Sequence, residues 1–271
     1  MNQIYHWLDT TKQNIHQRLN RELKIAEEKE QLNVVLLQVR EDHPDMGCKV
    51  LYRKIKPQTM GRDKFFEFYR SYGFKIIPRK CFRRTTDSSG VIRFPNLVTG
   101  QELTGVNQVW VSDITYYEMN SKFYYLTFIM DQYSRRIIGH SASRTLRTED
   151  TTIPALKMAL TRIRGDEIVK PIIHSDGGGQ YYSKNFLSLT KGCLRNSMCE
   201  TVYENPHAER INGIIKNSYL KGYNPTNYNN LVRKLDKAIY MYNYEKPHSS
   251  IDHFTPVEFE RRLNKELITL N

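Results

Sequence analysis

The chain has 271 residues, with 41 Lys+Arg against 29 Asp+Glu, a net charge of +12 and 39% hydrophobic residues. That is apolar content for a real core and length for one large domain plus a small appendage, while the positive surplus favours a polyanionic partner, most often nucleic acid. Cys48, Cys81, Cys193 and Cys199 form no Cys-x-x-Cys pair, the start shows no basic-then-apolar secretory pattern, and the longest apolar run, Phe123 to Met130, is too short for a membrane span. These features argue against a zinc or disulfide framework and against a membrane partner, and they fit a reducing cytosol.

Residues 10 to 41 lack Pro and Gly, and Leu19, Leu23 and Ala26 share one face at helical spacing, so one or two helices are predicted, docking on this protein or on a second copy. His43-Pro44 breaks the pattern. Cys48 to Lys56 and the segment from Arg62 towards Gly73 predict two short helices across a tight connection. That fits a helix-turn-helix, with the second helix as groove reader and Arg62 and Lys64 as DNA contacts; a small helical packing unit without DNA contact is the alternative. Arg79, Lys80, Arg83 and Arg84 follow in an extended basic segment suited to tracking phosphates, or simply a solvated charge run. Residues 86–106 carry little periodicity and read as a linker.

From Asn107 the texture changes. Gln108 to Tyr117, Phe123 to Met130 and Arg135 to Ala142 read as three strands of an antiparallel meander. A capped helix follows with Ile153, Leu156, Leu160 and Ile163 on its apolar face, then a strand at 171–175, a helix near Ser183 to Lys191, and a short strand between Asn196 and Val202. Pro206 opens a longer helix reaching about Leu220, Tyr228 to Tyr244 carries a stripe of Leu231, Leu235, Ile239 and Tyr242, and Thr255-Pro256 starts a terminal helix. This order predicts an α/β fold: a ribonuclease-H-like mixed five-stranded sheet flanked by helices, behind a small all-α N-terminal region.

Asp113 falls on the first predicted strand and Asp176 at the tip of the fourth, before Gly177 to Gly179. Alone, that tip suits an ordinary Asp-Gly turn as well as a metal or phosphate site. If the two strands are neighbours the carboxylates meet, and Glu209, one turn into its helix, can join them. Acids in such proximity repel and invite a hard divalent cation, Mg²⁺ for phosphate chemistry. Two ions about 3.5–4 Å apart activate a nucleophile and stabilise a leaving oxygen. Glu204 is the rival third acid, displaced because it precedes the helix. Asp131 reads as a turn residue. His174 suits a phosphate contact or a packed strand position equally. Arg210 and Lys216 suit DNA-backbone contacts or a solvated helix face, and Asn212, near Glu209 on its helix, can steady the site.

Trp110 to Thr115, His174 to Gly178 and Asn205 to Lys216 closely resemble the DDE transposases of the insertion-sequence-3 family, relatives of retroviral integrases. His43 to Gly47 with Tyr52, and Gly61 to Phe66, resemble that family's helix-turn-helix region; Lys246 to Ser250 followed by Thr255-Pro256 resembles its C-terminal signature. The resemblance implies that Asp113, Asp176 and Glu209 are the catalytic and metal-binding triad for two Mg²⁺ ions, with Mn²⁺ able to substitute. The spacer from Asp176 to Glu209 is slightly shorter than the family's usual one. The resemblance also implies 3′-end cleavage and strand transfer on double-stranded DNA, both element ends and target, by a homo-oligomer in the bacterial cytoplasm, at the nucleoid. The implied division is 1–33 an N-terminal helical segment, 34–85 the DNA-binding region, 86–106 the linker, 107–225 the catalytic core and 226–271 C-terminal helices on that core. No long leucine zipper resembles the family's upstream-frame product, so the chain is expected to be the downstream product, with an upstream-frame protein as partner. The competing readings are a ribonuclease-H-like nuclease that cuts without joining, and a non-catalytic or regulatory DNA-binding derivative.

Overall fold

The computed structural model describes residues 10–76, 94–163, 170–199 and 205–269, so Arg79, Lys80, Arg83, Arg84 and Glu204 lie outside the described residues. The chain divides into two compact units, Met1–Cys81 and Phe82–Asn271.

In the first unit, one continuous helix, α1 (Lys12–Asp42), is capped by Thr11, whose hydroxyl accepts from the Asn14 N–H at 3.1 Å. A boundary between residues 33 and 34 therefore falls within a helix rather than between segments. Its C-terminal half buries Leu32 and Leu36 against Leu51 of α2 (Cys48–Ile55) and Phe65 and Phe68 of α3 (Arg62–Ser71). Its N-terminal half leaves Leu19 and Leu23 exposed. Arg40 ties the unit together by donating to the carbonyls of Pro44 (2.7 Å), Met46 (3.1 Å) and Phe74 (3.0 Å) and to the Tyr69 hydroxyl. The guanidinium thus satisfies the backbone at both ends of the helical pair.

In the second unit, β1 (Val109–Met119), β2 (Lys122–Asp131) and β3 (Ile137–Ser143) form the expected antiparallel meander. The β1–β2 turn runs through Asn120 and Ser121, both with positive φ, the backbone that matches a twisted hairpin. β4 (Ile172–Ser175) pairs parallel with β1, and β5 (Arg195–Met198) parallel with β4, giving the order β3-β2-β1-β4-β5. This is the mixed five-stranded sheet the sequence predicted. Alternation along β1 sends Val109 and Val111 to one face and Trp110 to the other. The first face packs on α6 (Pro206–Gly213) and α7 (Tyr228–Tyr240) through Ile211, Leu231 and Leu235. The second packs on α4 (Thr152–Leu160) and α5 (Lys184–Thr190) through Ala155, Leu156 and Phe186. Beyond Gly213, α6 continues as a π-helical turn over Ile214–Leu220, and α8 (Pro256–Thr269) opens with a capping box between Thr255 and Glu258.

Residues 94–106 depart from a plain linker. Leu97, Val98 and Leu103 pack on the core, and the Leu97 N–H donates to Ser197 Oγ at 2.9 Å. Their apolar side chains are spaced irregularly, which is why periodicity did not register them.

Gly139 in β3 lies hard against α4: a Cβ there would stand 2.2 Å from the Ala155 carbonyl oxygen. Gly139→Ala must push helix from sheet, and a loss of about 3 kcal/mol is expected from overpacking. Urea unfolding of the purified variant checks it; an unchanged midpoint would mean that α4 floats freely over the sheet.

Candidate active site

β1 and β4 pair with Val109 opposite Ile172 and Val111 opposite His174, a constant offset of 63 residues. Asp113 and Asp176 are separated by the same offset, so carrying that register two residues past the last paired position, Val111 and His174, sets them side by side just beyond β4, and Asp113 feels the charge of Asp176. Asp113 is half-buried; its Oδ1 accepts from the Ile114 N–H at 2.8 Å and its Oδ2 from Asn212 Nδ2 at 2.6 Å. Asp176 accepts from the Gly178 N–H at 3.1 Å. A Cβ on Gly178 would come to 3.0 Å from that same carboxylate oxygen, so the glycine leaves room for the acid rather than for an unusual φ.

α6 is fixed over β1 by polar contacts as well as by packing. Asn205, just before Pro206, is buried and donates to the Ser112 carbonyl at 3.1 Å. Lys216 Nζ donates to Thr115 Oγ1 at 2.6 Å and to the Tyr116 carbonyl at 3.3 Å. The helical spacing of Glu209, Asn212 and Lys216 puts all three on the side facing β1. Glu209 itself is exposed at the rim. Lys216 therefore makes its contacts within the protein, and Asn212 holds one oxygen of Asp113.

The electrostatics join the three acids. Burial first, then repulsion from Asp176 and, more weakly, from Glu209, pushes Asp113 up to about 7. Asp176 is also raised, by burial. Burial raises both aspartates and repulsion adds to the effect on Asp113, so the pair holds a proton to higher pH than an isolated aspartate would. Tyr181 lies close by, buried, with its hydroxyl 2.8 Å from Ser112 Oγ; burial and the two aspartates push its phenol well above the usual range. Sequence patterns gave no sign of Tyr181, whose hydroxyl reaches the site from a short 3₁₀ turn at 179–182.

A pH dependence follows, with a definite sign. A carboxyl whose folded pKa is raised binds its proton more tightly folded than unfolded, so its ionisation opposes folding. In chelator, stability should fall as pH rises from about 4 to about 7, the window between the usual aspartate value and that of Asp113. The loss is on the order of 2 kcal/mol once the water reaching a half-buried carboxyl is allowed for. Asp113→Asn should flatten this slope; an equally steep slope in that variant would assign it elsewhere.

Among the described residues no three of the His, Cys, Asp and Glu side chains form a ready-made metal cage. Asn212 takes up one oxygen of Asp113, so that carboxylate is held by the protein. The donors are all carboxylate oxygens, which suits a hard divalent ion. His174 is a packed strand histidine: Nδ1 lies 2.9 Å from Ser197 Oγ and Nε2 lies 3.1 Å from Cys199 Sγ. Asp131 binds its own turn, accepting from the N–H groups of Asn107 (2.6 Å), Tyr133 (3.1 Å) and Ser134 (2.8 Å). Arg62 and Lys64 are exposed on α3, Arg62 beside Asp63 at 3.0 Å, and Arg210 is exposed on α6.

Residues 104–193 and 196–256 each match an integrase core domain family. The 31 kDa protein of insertion element IS600 from Shigella sonnei is 26% identical over 272 residues, spanning 96% of this chain and 94% of that protein. Transposase InsF for insertion sequence IS3A of Escherichia coli K12 is 34% identical over 122 residues, 41% of this chain, and the matched stretch spans about two fifths of that transposase (41%). The catalytic core domain of HTLV-2 integrase, in its trimeric form with magnesium, is similar with 24% identity, covering 57% of this chain and 96% of that one at a TM-score of 0.46. With the integrase-core matches running from residue 104 to 256, the chain belongs to the insertion-sequence-3 family of transposases, polynucleotidyl transferases with an integrase-type catalytic core.

Proposed function

We propose that Asp113, Asp176 and Glu209 are the catalytic carboxylates of this transposase, and that they carry both 3′-end cleavage and strand transfer. The observation that carries the reading is the parallel β1–β4 pairing at the offset that also separates Asp113 from Asp176, with Glu209 adding to the same field. An integrase-type core implies dependence on a divalent metal, and the three carboxylates are the residues that would hold it, as two Mg²⁺ ions. Bound there, the ions would neutralise charge on the phosphate and on the attacking and departing oxygens.

The chain's own residues do the rest. Asn212 fixes the orientation of Asp113, Gly178 leaves space for Asp176, and Asn205 anchors the helix that brings Glu209. In cleavage, water forms a new P–O bond as the bond to the 3′ oxygen breaks, and the freed 3′ hydroxyl takes up a proton. In transfer, that hydroxyl attacks a second phosphodiester, one P–O bond replacing another, with no covalent protein–DNA link. Positioning and charge neutralisation supply most of such a barrier reduction.

Residues 34–85 bind DNA through α3, with Arg62 and Lys64 at the duplex, and Arg79, Lys80, Arg83 and Arg84 track phosphates beyond it. Residues 107–225 are the catalytic core and 226–271 brace it. Arg210 supports the backbone of bound DNA, whereas Lys216, turned inward to Thr115 and the Tyr116 carbonyl, braces α6 on β1 instead. The enzyme acts as a homo-oligomer on element ends and target in the cytoplasm, with an upstream-frame protein as partner. No helix among the described residues is long and apolar enough to cross a membrane.

A single-turnover reaction on labelled element ends with Mg²⁺ tests the reading. Joined product is the expected result. Cut ends that never join would favour a ribonuclease-H-like nuclease, and bound but intact DNA would leave a regulatory binding protein.

A further inference from the structure

The helix that carries Glu209 has a second functional face. His207, Arg210 and Ile214 recur on the side opposite Glu209, Asn212 and Lys216. That side lines a cavity of about 130 Å³, completed by Arg135 from the β2–β3 turn and by His248, Ser249 and Ser250 after α7. A single water requires only about 10–15 Å³, so the cavity has room for an anion.

Its polar lining is cationic or neutral. Neither Arg135 nor Arg210 has a carboxylate partner within ion-pair distance among the described residues. Arg136, the next residue along, is paired with Glu260 at 2.6 Å, so the region is not simply short of acids. Arg135 Nη1 lies 2.7 Å from His207 Nδ1; an arginine only donates, so that ring nitrogen carries no proton. His248 Nε2 lies 3.3 Å from the Tyr242 carbonyl, which accepts from it. Burial first, and then the neighbouring cations, hold His248 down to about 3. The cavity's positive charge thus comes from the two guanidiniums; the Asp131 carboxylate acts on Arg135 from beyond ion-pair distance, and no acid lines the cavity.

Two details of Arg135 point to a ligand. Its Nε is buried without a hydrogen-bond partner among the described residues. Its backbone is left-handed, φ 64°, where glycine or asparagine sits at less cost. An arginine kept in a strained turn, with part of its fork unsatisfied, has a use for the side chain that the fold does not supply.

We propose that Arg135 and Arg210, with the hydroxyls of Ser249 and Ser250, form a binding site for one phosphate of the DNA backbone. It sits a helix's width, roughly 10 Å, from the acids, so the phosphate it takes is not the one being cut. A duplex gripped there is held beside the reaction site in fixed register. The inference rests on the chain acting on DNA and not on which acids carry the chemistry.

The test is equilibrium binding of the full chain to a labelled duplex in chelator, across a salt series, for Arg135→Gly, Arg210→Gln and the double variant. Arg135→Gly relieves the left-handed backbone, so its melting temperature should hold or rise. Each single variant should bind DNA roughly tenfold more weakly, with the slope of log affinity against log salt reduced by about 0.9. The double variant should lose little more than either single one, because both arginines grip one phosphate. Wild-type affinity and slope in a folded Arg135→Gly would overturn the proposal, as would fully additive losses with twice the slope change. Inorganic phosphate raising the melting temperature of wild type alone, with DNA affinity unchanged in every variant, would assign the cavity to a free anion and overturn the DNA reading. The two readings fail separately: wrong acids would leave these affinity losses intact, and a wrong cavity would leave cleavage dependent on the acids.

Discussion

Asp176→Asn is expected to lower both cleavage and joining by roughly 10³–10⁴-fold, the several kcal/mol that metal-borne charge stabilisation contributes to phosphoryl chemistry. The substitution is close to isosteric, so the amide oxygen it introduces can still accept from the Gly178 N–H, as the Asp176 carboxylate does at 3.1 Å. What disappears is the charge. DNA affinity should persist, since the DNA contacts proposed here are cationic and lie elsewhere. The metal-free protein should even gain stability, because the repulsion that helps lift Asp113 is removed. Loss of activity with gained stability separates a functional acid from a structural one: a structural carboxylate would cost stability on removal. Single-turnover kinetics, anisotropy on labelled DNA and thermal unfolding in chelator supply the three readings. Cleavage at the wild-type rate would remove Asp176 from the mechanism, and with it the β1–β4 alignment as its basis.

Glu260→Ala is expected to cost about 3 kcal/mol of stability, the range for removing one partner of a buried ion pair. Glu260, on α8, is buried, with Oε1 accepting from Ser134 Oγ at 2.8 Å. Its Oε2 accepts from Arg136 Nη1 at 2.6 Å and Arg162 Nη2 at 2.9 Å. One carboxylate thus ties the C-terminal helix to the β2–β3 turn and to the end of α4. Removing it leaves two guanidiniums facing each other, and Arg162 Nε is already buried without a partner among the described residues. For a unit of this size the shift corresponds to a melting temperature lower by roughly 6–12 °C. Glu22→Ala is the matched control: its pair with Arg18 at 3.2 Å is solvent-exposed and should cost no more than about 0.5 kcal/mol. Equal melting temperatures for the two variants would mean that water reaches Glu260 freely. The effect also bears on the site, because the same turn carries Arg135.

The sequence by itself determined the element types and the acids worth testing. Alternation along 109–119 and 122–131 marks half-buried strands, the Leu231, Leu235 and Ile239 stripe marks a docked helix, and Pro206 marks a helix start; each signal is local, so each was legible. The three acidic motifs stood out for the same reason. Only the tertiary structure decided that β4 lies parallel beside β1 at the offset that levels Asp113 with Asp176, because strand pairing depends on contacts remote in sequence. It also decided side-chain direction. Lys216 reads as an exposed cation in a basic helix, yet it turns inward to Thr115; Asn212 reaches Asp113 and Tyr181 reaches Ser112 beside it only because α6 and the 3₁₀ turn at 179–182 converge on β1. The cavity behind α6 draws Arg135, Arg210 and His248 from three separate elements, and a gathering of that kind has no period and no motif, because nothing along the chain records which surfaces packing will bring face to face.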